Sequence, residues 1–380
     1  MKRAPIRDIL WLFLLTRLLL VLVTYFGFVL LTAPKYLSTP VNIVGLFTSW
    51  NQWDGANYVR IAQFGYMTHF DVAFFPLFPL LIAAIAYPLG SWSYLAVGMV
   101  LSNAALLGAM FVLYQLAVDI AGEQVGRRTL LYLTIFPTAL FFFAPYNESL
   151  FVLLIAGGFL ALRRQHWWLA GILGMLAALT RSAGLLFVIP YLIEVWISRE
   201  SITAGRQRLL LRLFPVVLIP LGTVLYSIYC WHIQGNPIAY VSVESHWGRQ
   251  TTWPWMGIVQ AFVSLFWSQP FGSFYEAHTL LDLSATLGFI FLAIKGWRWL
   301  RLSYSVWIAI LLLFTLLSPS LSAGDALVSN QRLVLEMFPA FITLAMLGAK
   351  HPRVHQALIL VFPVLLATLS LLFVMGRWMV

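Results

Sequence analysis

The sequence predicts an all-α polytopic membrane protein, one domain over residues 1–380 built as a bundle of about eleven transmembrane helices. Three observations lead there. The chain is 61% hydrophobic and 9% charged, with a mean hydropathy of +0.88, whereas soluble domains carry about 25% charged residues. Its apolar runs approach the roughly 20 residues that a crossing needs, and very short polar breaks separate them. Lipid offers no water to an open backbone, so such runs must be helical.

In chain order, the first run (about 9–32) follows Lys2, Arg3 and Arg7 and imitates a signal peptide. At about 24 residues it exceeds a normal apolar core of such a peptide, and Arg17 interrupts it, so an uncleaved span is expected. Further spans are expected at about 93–118, 129–145, 148–162, 166–180, 184–198, 211–233, 280–296, 303–319, 332–349 and 355–376. The stretch 72–91 is apolar but holds Pro76, Pro79 and Pro88 and ends in Gly90. Reading it as a re-entrant or interfacial helix leaves 16 of the 23 basic residues on one side, from Lys2 and Arg3 through Arg127–Arg128 and Arg163–Arg164 to Lys350 and Arg353. That asymmetry is the positive-inside pattern, and it places the N-terminus inside and the C-terminus outside. It also explains the net charge of +10 without nucleic acid, which is not an expected partner. The only cysteine, Cys230, lies in an apolar run, so an intrachain disulfide is excluded.

The loops are unequal. Inner connections are short and basic, apart from about 199–210, whereas two outer segments are long, about 33–92 and about 234–279. The second carries an apolar stretch, Ile258–Trp267, expected along the interface. No repeat, low-complexity tract or Gly-rich phosphate loop is visible, so the distinctive polar chemistry gathers on the outer face.

Residues 49–64, SWNQWDGANYVRIAQF, read as one helix. Ser49 and Gln52 fit a capping box, and Gly65 a C-terminal stop. Trp50, Trp53, Ile61 and Phe64 form an apolar stripe at helical spacing, with Asp54 on its border, four residues from Trp50 and Tyr58. Two readings stand: an interfacial helix with a solvated acid at its start, or a general base held where a lipid-borne substrate arrives.

The runs 148–162 and 166–180 have about 15 residues each, so about 22 Å at 1.5 Å per residue, against a hydrocarbon core of about 30 Å. Their outer tips, Pro145–Ser149 and Thr180–Gly184, are therefore expected in a recess. An arginine at that depth costs roughly 2.5–3.5 kcal/mol, so Arg181 needs an anion. Glu148 is one candidate, in a structural ion pair; a phosphate bound bidentately is the other. The SVESHWGRQ loop offers Glu244, His246, Trp247 and Arg249, suited to a phosphate and a ring or to interfacial anchoring. His246 has no companions at metal spacing. Asp325 and Arg332 bracket the short loop entering the 332–349 span, where Arg332 opposes the helix dipole and Glu336 is an available counter-charge. Together these residues make a set of one base and several anion binders, the set for group transfer from a phosphorylated polyprenyl lipid.

The same residues carry a resemblance. WDGANYVRIAQFGY (53–66), FFPLFPLL (74–81), PYNESLF (145–151), LTRSAGLLF (179–187), HWGR (246–249) and QRLVLEMFP (331–339) occur in the order seen in the PIG-V-type mannosyltransferases. These are bacterial relatives of GPI mannosyltransferase 2 within the GT-C glycosyltransferase superfamily. The resemblance implies a GT-C-like bundle whose long first extracytoplasmic loop carries interfacial helices and the catalytic acid, with polyprenyl-phosphate mannose as donor. By position Asp54 matches that loop acid, and Arg181, His246 and Arg249 lie in the polar motifs. TRSAG, NQRLV and the short outer loops are looser than in the eukaryotic enzymes, so the acceptor need not be a GPI glycan.

The expected reaction is an inverting hexosyl transfer to an extracytoplasmic glycan or glycolipid acceptor, with the bilayer as the third partner. Asp54 takes the acceptor proton; Arg181, His246 and Arg249, with Arg332, stabilise the leaving phosphate; Trp53, Trp247 and Tyr58 stack on sugar or seat the lipid; Glu148 lines the recess. A monophosphate leaving group can be met by arginines, so no cofactor and no obligatory metal are expected. The location expected is a bacterial-type plasma membrane, with the site facing out. Two other classes share part of the pattern: a lipid-linked glycan ligase or polymerase, releasing polyprenyl diphosphate, and a transporter or flippase, which usually shows repeats and broken helices near the midplane.

Overall fold

The computed structural model describes residues 5–32, 42–198, 205–321 and 324–378. Lys2 and Arg3, which the charge argument places inside, lie outside them. Among the described residues the chain is helical, with one isolated β-bridge between Arg249 and Ser320. The helices are α1 (Ile6–Thr32), α2 (Ile43–Thr48), α3 (Trp53–Phe64), α4 (Leu77–Ala86), α5 (Tyr94–Ala121) and α6 (Glu123–Thr134). Next come α7 (Glu148–Arg163), α8 (Trp167–Thr180), α9 (Val188–Ser198), α10 (Gly205–Leu213), α11 (Leu218–Gln234) and α12 (Ala239–Ser242). The last are α13 (Met256–Val263), α14 (Phe274–Gly296), α15 (Leu302–Leu316), α16 (Asn330–Leu333), α17 (Phe338–Lys350) and α18 (Pro352–Val374).

Five stretches are long and apolar enough to cross a membrane: Ile6–Leu31, Ser91–Ala121, Leu209–Gln234, Phe274–Gly296 and Pro352–Val374. The protein is a multi-pass membrane protein. Several other expected spans fall on shorter apolar helices, among them Trp167–Thr180, Ser182–Ser198 and Leu302–Leu316. The 72–91 stretch, expected to re-enter, is likewise a short helix, Leu77–Leu89.

Two expected spans are not continuous helices. The 129–145 run stops at Thr134, because Phe136-Pro137 follows: the ring of proline disfavours helical backbone in the residue before it. A 3-10 turn at Ala139–Phe142 then leads to α7. The 332–349 run breaks at Met337, where Asn330–Glu336 and Phe338–Lys350 meet at 88°. Pro339 sits just inside the second helix, where its missing N–H costs nothing.

The chain folds into two compact units interleaved in sequence, residues 1–65, 78–150 and 344–379, and residues 66–77 and 151–343. In the first, α1 packs on α18 and α5. Asp8 and Arg127 pair at 3.1 Å, and Arg128 donates to the Gly348 carbonyl, so residues assigned to the inner side share one end. In the second unit α8 and α11 approach closely because Gly222 has no side chain: a Cβ there would lie 2.5 Å from the Met175 carbonyl oxygen. Small residues serve this purpose between helices in lipid, where there is no hydrophobic drive to associate. An aromatic core of Phe159, Phe187, Tyr304, Trp307 and Phe338 joins α7, α15 and the start of α17, all fully or nearly fully buried. The inner-side residues again share an end, with Arg301 paired to Glu194 at 2.8 Å and Arg212 donating to the Ser198 carbonyl.

Candidate functional site

The sequence-nominated residues divide between the two units. Trp53, Asp54, Tyr58 and Glu148 belong to the first; Arg181, His246, Trp247, Arg249 and Arg332 belong to the second.

In the first unit the acid helix is four residues shorter than expected. Ser49 ends α2, its hydroxyl donating to the Leu46 carbonyl at 2.6 Å, so the Ser49–Gln52 capping box does not form. The helix opens at Trp53, with Gln52 as its N-cap. Trp50 falls in the turn between the helices and is buried against Phe143 and Phe373, while Phe64 is exposed; the four-residue stripe therefore does not form one face. Gly65 closes α3 with φ 79°, as expected.

Asp54 is half-buried in the first turn of α3, where the helix dipole favours a carboxylate. The turn is held by shape. A Cβ on Gly55 would lie 2.8 Å from the Tyr146 ring and 3.1 Å from Pro145, so only glycine lets α3 rest on that corner. Tyr146 is itself buried and donates to the Gln52 carbonyl at 3.1 Å. Trp53 has a positive φ of 53°, a conformation rare for bulky residues that costs on the order of 1–3 kcal/mol. Its ring meets Trp378 edge-on at 4.8 Å. The indole Nε1 of Trp53 and the Oδ1 of Asn51 are buried without a protein partner, one donor and one acceptor next to the acid. Tyr58 is buried edge-on to Phe78 at 5.3 Å. Glu148 is fully buried and starts α7, and its neighbours Tyr146, Asn147 and Ser149 are also buried.

In the second unit, Arg181 follows α8 directly, in extended backbone. Its Nε lies 2.9 Å from Oε1 of Glu336, both side chains largely buried; the contact is an ion pair without hydrogen-bond alignment. The sequence reading offered Glu148 as counter-charge for Arg181 and kept Glu336 for Arg332. Glu336 ends a short 3-10 turn, Val334–Glu336, in place of lying one turn along a straight span, and from there it meets Arg181. Arg332, buried on α16, is on the same 330–336 segment. Two arginines from distant parts of the sequence are thus tied to one short piece of chain.

The 246–249 loop is tied elsewhere. His246 is exposed, its ring 4.1 Å from that of Phe70. Arg249 pairs with Glu244 at 3.4 Å and donates to the Ser318 carbonyl at 3.2 Å, and the Trp247 carbonyl accepts from Ser320. Residues 66–77 pack here: Tyr226 of α11 donates to the Val72 carbonyl at 2.8 Å, and the buried Asp71 accepts from Met67 N, Thr68 N and Thr68 Oγ1. Among the described residues no group of three or more His, Cys, Asp or Glu is placed to hold a metal.

Sequence reasoning gave Asn51 and Gly55 no role of their own and named Tyr146 only as part of the 145–149 tip. It also overlooked Asp282, an acid inside an expected span, which is a signal it had.

Comparison with known proteins follows these residues. The Archaeoglobus fulgidus oligosaccharyltransferase in its apo form gives a TM-score of 0.45 at 13% identity, over 96% of this chain and 56% of that one; so distant a likeness carries no weight for function. The mouse GPI alpha-1,6-mannosyltransferase 2 is 31% identical over 160 residues, 38% of this chain and 31% of that protein. The human protein of that name is 30% identical over 156 residues, with the same coverage. GPI mannosyltransferase 2 of Schizosaccharomyces pombe is 25% identical over 223 residues, 53% of this chain and 48% of that one. The chain thus spans less than half the length of these curated relatives. The family described as Mannosyltransferase (PIG-V) matches residues 7–232, which include Asp54, Glu148 and Arg181. With well over half of its length matched, the chain belongs to the PIG-V mannosyltransferase family.

Proposed function

We propose that the protein is a GT-C-type membrane glycosyltransferase that moves a mannosyl or related hexosyl residue from a polyprenyl-phosphate sugar to a glycan or glycolipid acceptor. The reaction is an inverting displacement on the extracytoplasmic face. The acceptor oxygen bonds to the anomeric carbon as the bond from that carbon to the phosphate oxygen breaks. Asp54 receives the acceptor hydroxyl proton, and polyprenyl phosphate leaves with the bonding pair. The observation that carries this reading is the acid itself: half-buried at the start of a helix inside the family-matched region.

Other features support it. The orphaned Trp53 Nε1 and Asn51 Oδ1 are a donor and an acceptor that sugar hydroxyls satisfy, and buried polar atoms left unmade are costly. Arg181 and Arg332 bring positive charge where phosphate charge grows, and in a site shielded from water such groups act strongly. Arginine is suited to phosphate by its planar fork. His246 and Arg249 share that role at the leaving phosphate. With arginines meeting a monophosphate, no metal is required.

The test is transfer from labelled polyprenyl-phosphate mannose by the full chain in membranes. Release of polyprenyl phosphate with an inverted linkage, insensitive to EDTA and lost in Asp54→Asn, is the expected result. Near-normal transfer by Asp54→Asn removes the base assignment. Release of polyprenyl diphosphate replaces this reading with a glycan ligase or polymerase, and EDTA inhibition removes the metal-free claim.

A further inference from the structure

Helix α14 is an apolar span with a buried polar stripe, Thr279, Asp282 and Thr286. The segment after α15 lies against it. A Cβ on Gly324 would sit 2.6 Å from the Tyr275 ring, Asn330 Nδ2 donates to Thr286 Oγ1 at 3.0 Å, and Gln331 N donates to Asp282 Oδ1 at 2.7 Å. Asp325, also buried, accepts from Leu327 N through its own Oδ1 at 2.9 Å. The second oxygens of the two acids, Asp282 Oδ2 and Asp325 Oδ2, have no donor among protein groups, and the carboxyls lie within hydrogen-bonding reach of each other.

Two ionised carboxylates cannot bond, since each is acceptor-only, and two bare charges buried together are prohibitively costly. A single proton removes both problems. It makes one Oδ2 a donor, satisfies the other, and leaves one negative charge. Burial assigns the ends. Asp282 is fully buried inside the apolar span α14, where a charge is most costly, whereas Asp325 lies in the segment after α15 and accepts from Leu327 N. Burial pushes the Asp325 carboxyl above its ordinary value, in line with a proton held between the two.

We infer that Asp282 and Asp325 share one proton, carried by Asp282, and that this carboxyl pair positions the 330–336 segment bearing Arg332 and Glu336. Ser329, which precedes α16, is held at φ 71°, strained for a residue with a side chain, and Gln331 is the first residue beyond it whose N–H is taken by the pair. The two acids are positioning residues: they act through the segment. That the segment in turn holds a donor phosphate rests on the function proposed above; the shared proton and the anchoring do not.

The experiment uses the full chain in lipid nanodiscs and three variants, Asp282→Asn, Asp282→Ala and Asp325→Asn. An Asn at 282 reproduces a protonated Asp, its amide donating to Asp325 and its carbonyl accepting from Gln331. Deuterium exchange at 326–334 is therefore expected to stay within about threefold of wild type in Asp282→Asn. It rises at least about tenfold in Asp282→Ala and Asp325→Asn, as loss of a bond to a buried group implies. The infrared C=O band of a protonated carboxyl disappears in Asp282→Asn.

Equal damage by Asp282→Asn and Asp282→Ala overturns the inference and points to two ionised carboxylates around a cation. A wild-type spectrum without a protonated-carboxyl band assignable to Asp282 also overturns it. In the transfer assay Asp282→Ala raises the donor KM about tenfold and Asp282→Asn restores it. An unchanged KM, with exchange altered as expected, leaves the pair standing and removes only its link to the donor.

Discussion

The Asp54 turn of the first unit and the Arg332 segment of the second are anchored by different physics. The Asp54 turn is fixed by shape: a glycine pressed on a buried tyrosine ring, a tryptophan in a strained backbone conformation, and one hydrogen bond from Tyr146. The Arg332 segment is fixed by charge and hydrogen bonds: Arg181 against Glu336, Gln331 N on Asp282, Asn330 on Thr286. The first is a precise wall beside the Asp54 carboxylate. The second is a polar lattice that holds cations inside a largely apolar bundle. A shape-held anchor should fail when volume changes, and a charge-held anchor when polarity changes.

The largest effect should separate chemistry from anchoring. Asp54→Asn keeps volume, so the wall survives while the base is lost; kcat is expected to fall about 10²–10⁴-fold, the span typical of a removed acid or base. Its thermal midpoint, read in detergent by intrinsic fluorescence, should stay near wild type. Concurrent loss of midpoint and kcat would instead mean that the carboxylate is part of the anchor.

Arg181→Ala should strike both properties, which is the contrast. Removing one member of a largely buried ion pair costs about 3–5 kcal/mol and takes away a group proposed to bind phosphate. Arg181→Lys keeps the charge without the planar fork. It should recover most of the midpoint and little of the donor affinity. If Lys restores both, the arginine serves only Glu336.

How much of this was legible differs between the regions for the same reason. Asp54 stood out because a carboxylate among tryptophans after a membrane-length run is unusual on its own, and five of the expected spans followed from apolar length. Short helices marked the 145–149 tip and Arg181 as positions to examine, without saying what packs on them. What spacing did not give was the contact between Arg181 and Glu336. Arg181 finds Glu336 because the 330–349 run breaks at Met337, and a break between two short helices leaves no trace in apolar periodicity beyond Pro339. The capping box failed because Ser49 ends one short helix before another begins, a competition that spacing alone does not decide. Gly55 is silent until its neighbour is known. Asp282 was visible and was passed over because the span around it was drawn by apolar content.

Gly55→Ala tests shape directly. The Cβ would fall 2.8 Å from a ring that is buried and bonded through its hydroxyl, so the ring cannot swing aside cheaply. Overpacking of this kind costs about 1–3 kcal/mol. Because the first turn of α3 must shift to relieve it, kcat should fall with the midpoint even though no polar group is touched. A matched Ala at Gly65, where no atom lies within 4 Å, also carries strain from its φ of 79°. It loosens the far end of the same helix, so a smaller loss of kcat there would locate the sensitivity at the Tyr146 contact.

The smallest effect belongs to Tyr146→Phe, and it measures how much of the wall is contact and how much is hydrogen bond. The substitution keeps the ring against Gly55 and against Phe141 and Phe373, and it deletes the hydroxyl that donates to the Gln52 carbonyl. One ordinary hydrogen bond contributes about 0.5–1.5 kcal/mol, and that carbonyl belongs to the N-cap residue directly before Trp53. A drop of that size in unfolding free energy with kcat within a few-fold of wild type means that the ring alone sets the Asp54 turn. A kcat loss approaching that of Gly55→Ala would make the hydroxyl the true support. The Asp54 turn would then be held by polarity, like the Arg332 segment, and the contrast between the two regions would close.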